Sequence, residues 1–260
     1  MKANRFDVLP INPGSGPPRE FFVTTNWGAF DAVERRRITY SDVIEQWTSV
    51  RDLIRLLAER ERNYLFLANE GQVTGLVSIA HLNCRQVRVY LYALLADLER
   101  RLADHLRLLL NEDEILRAIE GSPVAGRFRR DRKAGVEADA TEYLLFSDLI
   151  ELASEAGLIQ DLDMSTATHL DLRKVKELRT KIAHPIKSVV GNATSVRGLW
   201  DWVSLVEEMI FGLRLLDEAG GPLALNREIR STLRTAGSFA ALARSARGSW
   251  AVAGVRAGVA

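Results

Sequence analysis

The chain has 260 residues, 47% of them apolar and 27% charged, with a formal net charge of +1. That balance excludes global disorder and leaves enough apolar material for one large domain or two small ones. A charge this close to zero does not by itself point to nucleic acid, and no run of about 18 apolar residues is free of charges, so no membrane span is expected. Cys84 is the only cysteine, which rules out an intramolecular disulfide and a cysteine-rich metal site and suits a reducing cytoplasm. The first residues lack the apolar core of a signal peptide.

Residues 1–36 carry Pro10, Pro13, Pro17 and Pro18 with Gly14 and Gly16, and read as an extended N-terminal arm. Phe21, Phe22, Trp27 and Phe30 are candidates to pin this arm onto the domain next in the chain. In 37–82, Ser49 and Asp52 have the spacing of a helix cap, and Val50, Leu53, Ile54 and Leu57 recur at helical spacing. The runs Y-L-F-L-A (64–68) and V-T-G-L-V-S-I (73–79) come next, joined by N-E-G-Q, a hairpin signal. The expected order is strand, helix, strand, strand.

From Val87 the pattern turns helical. Val87, Leu91, Leu94, Leu95, Leu98, Leu102, Leu106 and Leu109 form one long stripe. Further helices are predicted over 112–119, 141–156, 171–184 and 196–218, with R-F-R-R-D-R-K-A-G (127–135) as a basic loop. Residues 221–260 read as a basic tail: from 223 on, six arginines stand against Glu228.

The residues I-T-Y-S-D-V-I-E-Q-W-T-S-V-R-D-L-I-R-L-L-A-E-R, then Y-L-F-L-A-N-E-G-Q-V-T-G-L-V-S-I-A-H-L, resemble a single CBS repeat. Such repeats work in pairs, and their paired cleft takes adenine nucleotides. The resemblance therefore implies a second chain as partner and an adenine nucleotide as regulatory ligand. It places Ser78 against phosphate or ribose, and His81 where the family has the Asp that holds ribose hydroxyls. A CBS-like unit kept only for dimerisation is the plainer alternative.

Beyond it, N-C-R-Q-V-R-V-Y-L-Y-A-L-L-A-D-L-E (83–99), L-L-F-S-D-L-I-E-L (144–152) and K-E-L-R-T-K-I-A-H-P (176–185) resemble, in this order, proteins that fuse a CBS unit to a HEPN-like helical domain. The fold class expected is α+β: an arm (1–36), a CBS-like β-α-β-β unit (37–84), an all-α HEPN-like bundle (85–220) and the tail (221–260). Many HEPN domains are metal-independent ribonucleases carrying Arg and His four to six positions apart. Arg179 and His184 match, with Thr180 where Asn is commoner. Arg100 and His105 show the same spacing inside the Leu-rich stripe and read as coincidence.

Independently, Leu172, Val175, Leu178, Ile182, Ala183 and Ile186 share one helical stripe, and Arg179 falls within it. A guanidinium there must find an acceptor, reach past the stripe to water, or sit at an interface. His184 at a helix end is also favoured simply by the macrodipole. In a catalytic reading, His184 moves a proton at the ribose 2′-hydroxyl or the leaving oxygen, and Arg179 grips the phosphate. Asp148 is a candidate acceptor for Arg179. Arg127, Arg129, Arg130, Arg132 and Lys133 are candidates for RNA backbone.

These expectations amount to a dimeric, CBS-regulated HEPN-type endoribonuclease in defence or stress, needing neither metal nor cofactor. Two alternatives stay open: a non-catalytic nucleotide-sensing or scaffold dimer, and an RNA-binding module without cleavage.

Overall fold

The computed structural model describes residues 8–11, 13–24, 33–120, 122–137, 139–162, 169–184, 186–191 and 195–218. The basic tail, Trp27, Phe30 and Pro185 lie outside them. The architecture is α+β, and the chain divides into two compact units: residues 1–90 with 185–201, and residues 91–184 with 202–260.

The first unit holds two small sheets. Strands β1 (Val8–Pro10), β2 (Glu20–Thr24) and β3 (Val33–Arg37) form an antiparallel sheet in that order. The arm expected over 1–36 is thus extended, in keeping with its prolines, but its strands are paired. Alternation along β2 explains why: Phe21 and Val23 turn inward while Glu20, Phe22 and Thr24 face out. Phe21 meets Tyr64 and Phe66 at ring-centroid distances of 5.7 and 5.1 Å. With Val8 and Val23 these rings form a buried cluster, flanked by Ile38, Val43, Val73 and Leu76.

The second sheet has the expected strand, helix, strand, strand order. Strand β4 (Val43–Glu45) pairs in parallel with β5 (Tyr64–Asn69), and β5 pairs antiparallel with β6 (Gln72–Ser78). Helix α1 (Val50–Glu59) makes the crossover that a parallel pair requires. Ser49 caps it: the amide of Asp52 donates to Ser49 Oγ at 3.0 Å, and that hydroxyl donates to the Asp52 carboxylate at 2.8 Å. At its other end Arg60 donates to the carbonyls of Ser41 and Val43. Glu70 and Gly71 make the two-residue hairpin turn, both at positive φ (49° and 76°), where only Gly is free of strain.

Helix α2 (Arg85–Leu109) buries Val87, Leu91, Leu95, Leu98, Leu102 and Leu106, most of the predicted stripe. In the second unit, α3 (Glu112–Ala118) starts at a reciprocal cap between Asn111 and Glu114. The stretch expected as a basic loop is instead helix α4 (Pro123–Lys133). Its arginines disguise an amphipathic pattern: Val124, Ala125 and Phe128 are buried, Ser122 caps, and Pro123 sits in the first turn. The basic residues gather toward its C-terminal end, where the macrodipole favours them.

The helix expected over 141–156 is broken in two, a 3-10 turn (Ala140–Tyr143) and α5 (Phe146–Glu155). A short α6 (Leu158–Asp161) and then α7 (His169–Ala183) come after it, and α8 (Val196–Glu218) matches its predicted span. Gly212 on α8 admits close approach, since a Cβ there would lie 2.9 Å from Leu162. Among the described residues no helix is long and apolar enough to cross a membrane.

Candidate functional site

Helix α7 buries Leu172, Val175, Leu178 and Ile182, which sets the direction of every other side chain on it. The predicted stripe does not extend further. Ala183 and Ile186 are exposed, because α7 ends at Ala183 and helical phase ends with it.

Arg179 sits at the margin of this buried face, its side chain 31% exposed. Its Nε lies 3.9 Å from Glu99 Oε2, an ion pair at the outer limit of contact. A partly exposed pair of this length holds the guanidinium weakly. His184 is exposed and comes directly after the last residue of α7. On an ideal helix five positions would separate the two side chains by roughly 140°. His184 lies past the last helical residue, so that angle does not fix the direction of its side chain.

Thr180 is exposed, and its hydroxyl donates to the Lys176 carbonyl at 3.0 Å, a back-bond along its own helix. Asp148 is not the acceptor of Arg179. Its carboxylate accepts from the Leu145 amide at 3.0 Å and from the Ser147 hydroxyl at 3.2 Å, so it caps the start of α5. The acceptor that Arg179 does have, Glu99 on α2, carries no local sequence signal, since eighty positions separate them.

Arg100 and His105, the second pair with this spacing, point apart on α2. Arg100 lies on the surface between Asp97 (3.0 Å) and Asp104 (2.9 Å), which hold its guanidinium more basic than usual. Asp97 also receives Arg101. Burial alone would raise its carboxyl, but these hydrogen bonds outweigh it and hold the group below the ordinary range. His105 is buried, its Nε2 lying 3.3 Å from the Leu213 carbonyl and 3.3 Å from Asp217. Its Nδ1 has no hydrogen-bond partner among the described residues. The carbonyl can only accept, so Nε2 carries the proton.

In the first unit, Ser78 and His81 do come together. The Ser78 amide donates to His81 Nδ1 at 3.1 Å, and Ser78 Oγ lies equally close to that nitrogen. The imidazole thus caps the 3-10 turn Ile79–Asn83, a capping box in which His replaces the usual Glu. Nδ1 accepts there, which leaves a proton on Nε2 of the neutral ring, facing solvent.

The five basic candidates of α4 are all exposed, but they divide into two groups. Arg132 bonds Glu112 at 2.5 Å and lies over the Phe128 ring at 5.5 Å, and the carboxylate raises its basicity. Arg129 reaches Glu120 at 4.0 Å. Arg127, Arg130 and Lys133 recur every third residue on the side opposite Phe128 and have no acidic partner among the described residues. Among those residues no group of three or more His, Cys, Asp or Glu side chains is placed to hold a metal ion.

Compared with known proteins, the chain matches no family model, no curated protein and no solved structure. The assignment of a function rests on the residues themselves.

Proposed function

We propose that this chain is a homodimeric, metal-independent endoribonuclease of the HEPN type, regulated through its CBS-like unit and acting in a defence or stress response. The observation that carries this reading is an exposed histidine directly after α7 and, on the same helix, an arginine whose one ion pair among the described residues is a 3.9 Å contact to Glu99. Both side chains are accessible to a phosphodiester. As the HEPN resemblance implies, the active arrangement takes Arg179 and His184 from two copies facing one cleft.

In that cleft His184 removes the 2′-hydroxyl proton or protonates the departing 5′-oxygen, and Arg179 supplies two parallel N–H donors to the phosphate as its charge grows. Arg127, Arg130 and Lys133 extend the grip along the RNA backbone. The regulatory ligand of the CBS-like unit is an adenine nucleotide.

The test is incubation of the purified chain with labelled single-stranded RNA in the presence of a chelator. Cleavage is expected, falling at least about a hundredfold in Arg179→Ala and in His184→Ala, as for loss of a general acid–base group. Arg100→Ala should cleave like the parent chain. Cleavage that survives both substitutions would refute the assignment. RNA binding with no cleavage would instead favour the alternative of a binding module, for which the unpaired basic side of α4 is the specific observation.

A further inference from the structure

Strand β3 (Val33–Arg37) is an outer strand of the N-terminal sheet, and all five of its residues are exposed. Its register with β2 runs unbroken from Glu20 opposite Arg37 to Thr24 opposite Val33. The Ile38 amide donates to the Arg19 carbonyl at 2.9 Å, which makes that opposed pair a hydrogen-bonded one. Bonded and non-bonded pairs alternate along an antiparallel ladder. Glu34 and Arg36 therefore turn their backbone groups toward β2, while Val33, Arg35 and Arg37 turn theirs outward. Among the described residues nothing meets those outward N–H and C=O groups.

An open edge of this kind is normally blunted by a proline, a bulge, a covering segment or charge. The strand V-E-R-R-R has no proline and no bulge, so charge is what guards it. That charge is unevenly spent. Arg36 is tied to Glu34 at 2.6 Å, and Arg35 donates through Nε to Glu20 at 2.9 Å. Arg37 has no hydrogen-bond or ion-pair partner for its guanidinium among the described residues, and neither has Arg19, which lines the same cleft. Val33, at the other end of the strand, is 47% exposed and lies on the same face as Arg37.

Outward backbone groups, a free cation and an exposed apolar side chain at fixed spacing are complementary to an extended peptide. Such a peptide gains main-chain hydrogen bonds from a sheet edge and its specificity from alternate side chains. We propose that β3 takes an acidic peptide segment as a fourth strand of the N-terminal sheet. A carboxylate of that segment stands opposite Arg37 and an apolar residue opposite Val33, four positions apart. A second copy of β3 is the wrong occupant, since each strand carries three arginines against one glutamate and would meet its own charge. The edge involves neither the Ser78–His81 pair nor Arg179 and His184, and no RNA cleavage enters its test.

Fluorescence anisotropy of the full chain with labelled heptapeptides decides it. The probes are threonine-rich and capped at both ends, with valine second and glutamate sixth, or the reverse, for the two strand directions. One of them should bind with a dissociation constant below about 1 mM. Lysine in place of its glutamate should weaken binding at least about tenfold, as expected for a lost charge-assisted contact. Methylating every second amide of that probe should abolish binding in the phase that faces β3 and spare it in the other. Arg37→Gln should weaken binding about tenfold. Arg35→Pro removes an outward donor and no bond to β2, and should weaken it as much. Arg117→Gln, the same loss of charge on α3, should leave it unchanged. An unaltered thermal transition checks that the variants fold, and where Arg35→Pro does not, the methylated probes read the same ladder. No binding of either probe at about 1 mM would overturn the proposal. So would binding indifferent to methylation or to Arg37→Gln, or binding weakened equally by Arg117→Gln.

Discussion

Asn83 ends the 3-10 turn after β6, and its carboxamide behaves like a short piece of strand. Its Oδ1 accepts from the amides of Val189 (2.7 Å) and Val190 (3.2 Å), and its Nδ2 donates to the Val190 carbonyl at 3.0 Å. Both valines are buried, so their amides have no ready access to water. Arg88 adds a bond to the Lys187 carbonyl. Asn83→Ala removes three bonds at once and leaves two amides without an acceptor, a loss of about 2–3 kcal/mol. Asn83→Asp keeps the acceptor and loses only the donor, for about 1 kcal/mol. Urea unfolding of the two variants measures both, and equal effects would contradict the geometry. No local pattern marks this residue, because its partners lie 106 and 107 positions away. Ser49 is legible in the sequence for the opposite reason, its partner Asp52 being three residues on. The same contrast divides the candidate site: spacing alone marks Arg179 and His184, but Glu99 and the capping role of Asp148 emerge only from the folded chain.

At the scale of elements, periodicity is clear where apolar residues dominate a face. The α2 stripe and the span of α8 come directly from Leu and Val recurring at helical spacing. It fails at α4, where only Val124, Ala125 and Phe128 face inward and the rest of the helix is charged or small. A helix there changes the functional argument, because it gives the basic residues fixed directions. Arg127, Arg130 and Lys133 form one side, while Arg132 is engaged by Glu112. If that side grips single-stranded RNA, the triple variant Arg127→Gln, Arg130→Gln, Lys133→Gln should reduce the slope of log affinity against log salt by about 2, from about 0.7 per phosphate contact. Arg132→Gln should change the slope little. Filter-binding at several salt concentrations provides the measurement, and equal effects would remove α4 from the interface.

The whole molecule is organised by a chain that leaves its first unit and comes back. Residues 91–184 intervene before 185–201 rejoin residues 1–90. Sequence pattern suggests a boundary near residue 84, where strand-like alternation gives way to helical spacing, because a composition shift is all that a linear reading registers. The physical core is drawn differently. Leu82, Val87, Val189, Val190 and Leu199 are all buried, and Arg51 lies over the Trp200 ring at 5.3 Å. A fragment ending at residue 84 loses Val87 and the returning segment together, and Asn83 loses its bonds to Val189 and Val190. The N-terminal sheet cannot compensate, since its core is the separate cluster around Phe21, Tyr64 and Phe66. Such a fragment should show no cooperative thermal transition by circular dichroism. Residues 1–90 joined to 185–201 through a flexible Gly/Ser linker should restore one, because the linker costs only a slowly growing closure entropy while the valine contacts and the Asn83 bonds return. A sharp transition in the short fragment would mean that the first unit folds without its returning segment. Asn83→Ala in the linked version should lower its melting temperature, which ties the recovered cooperativity to the clamp rather than to added length.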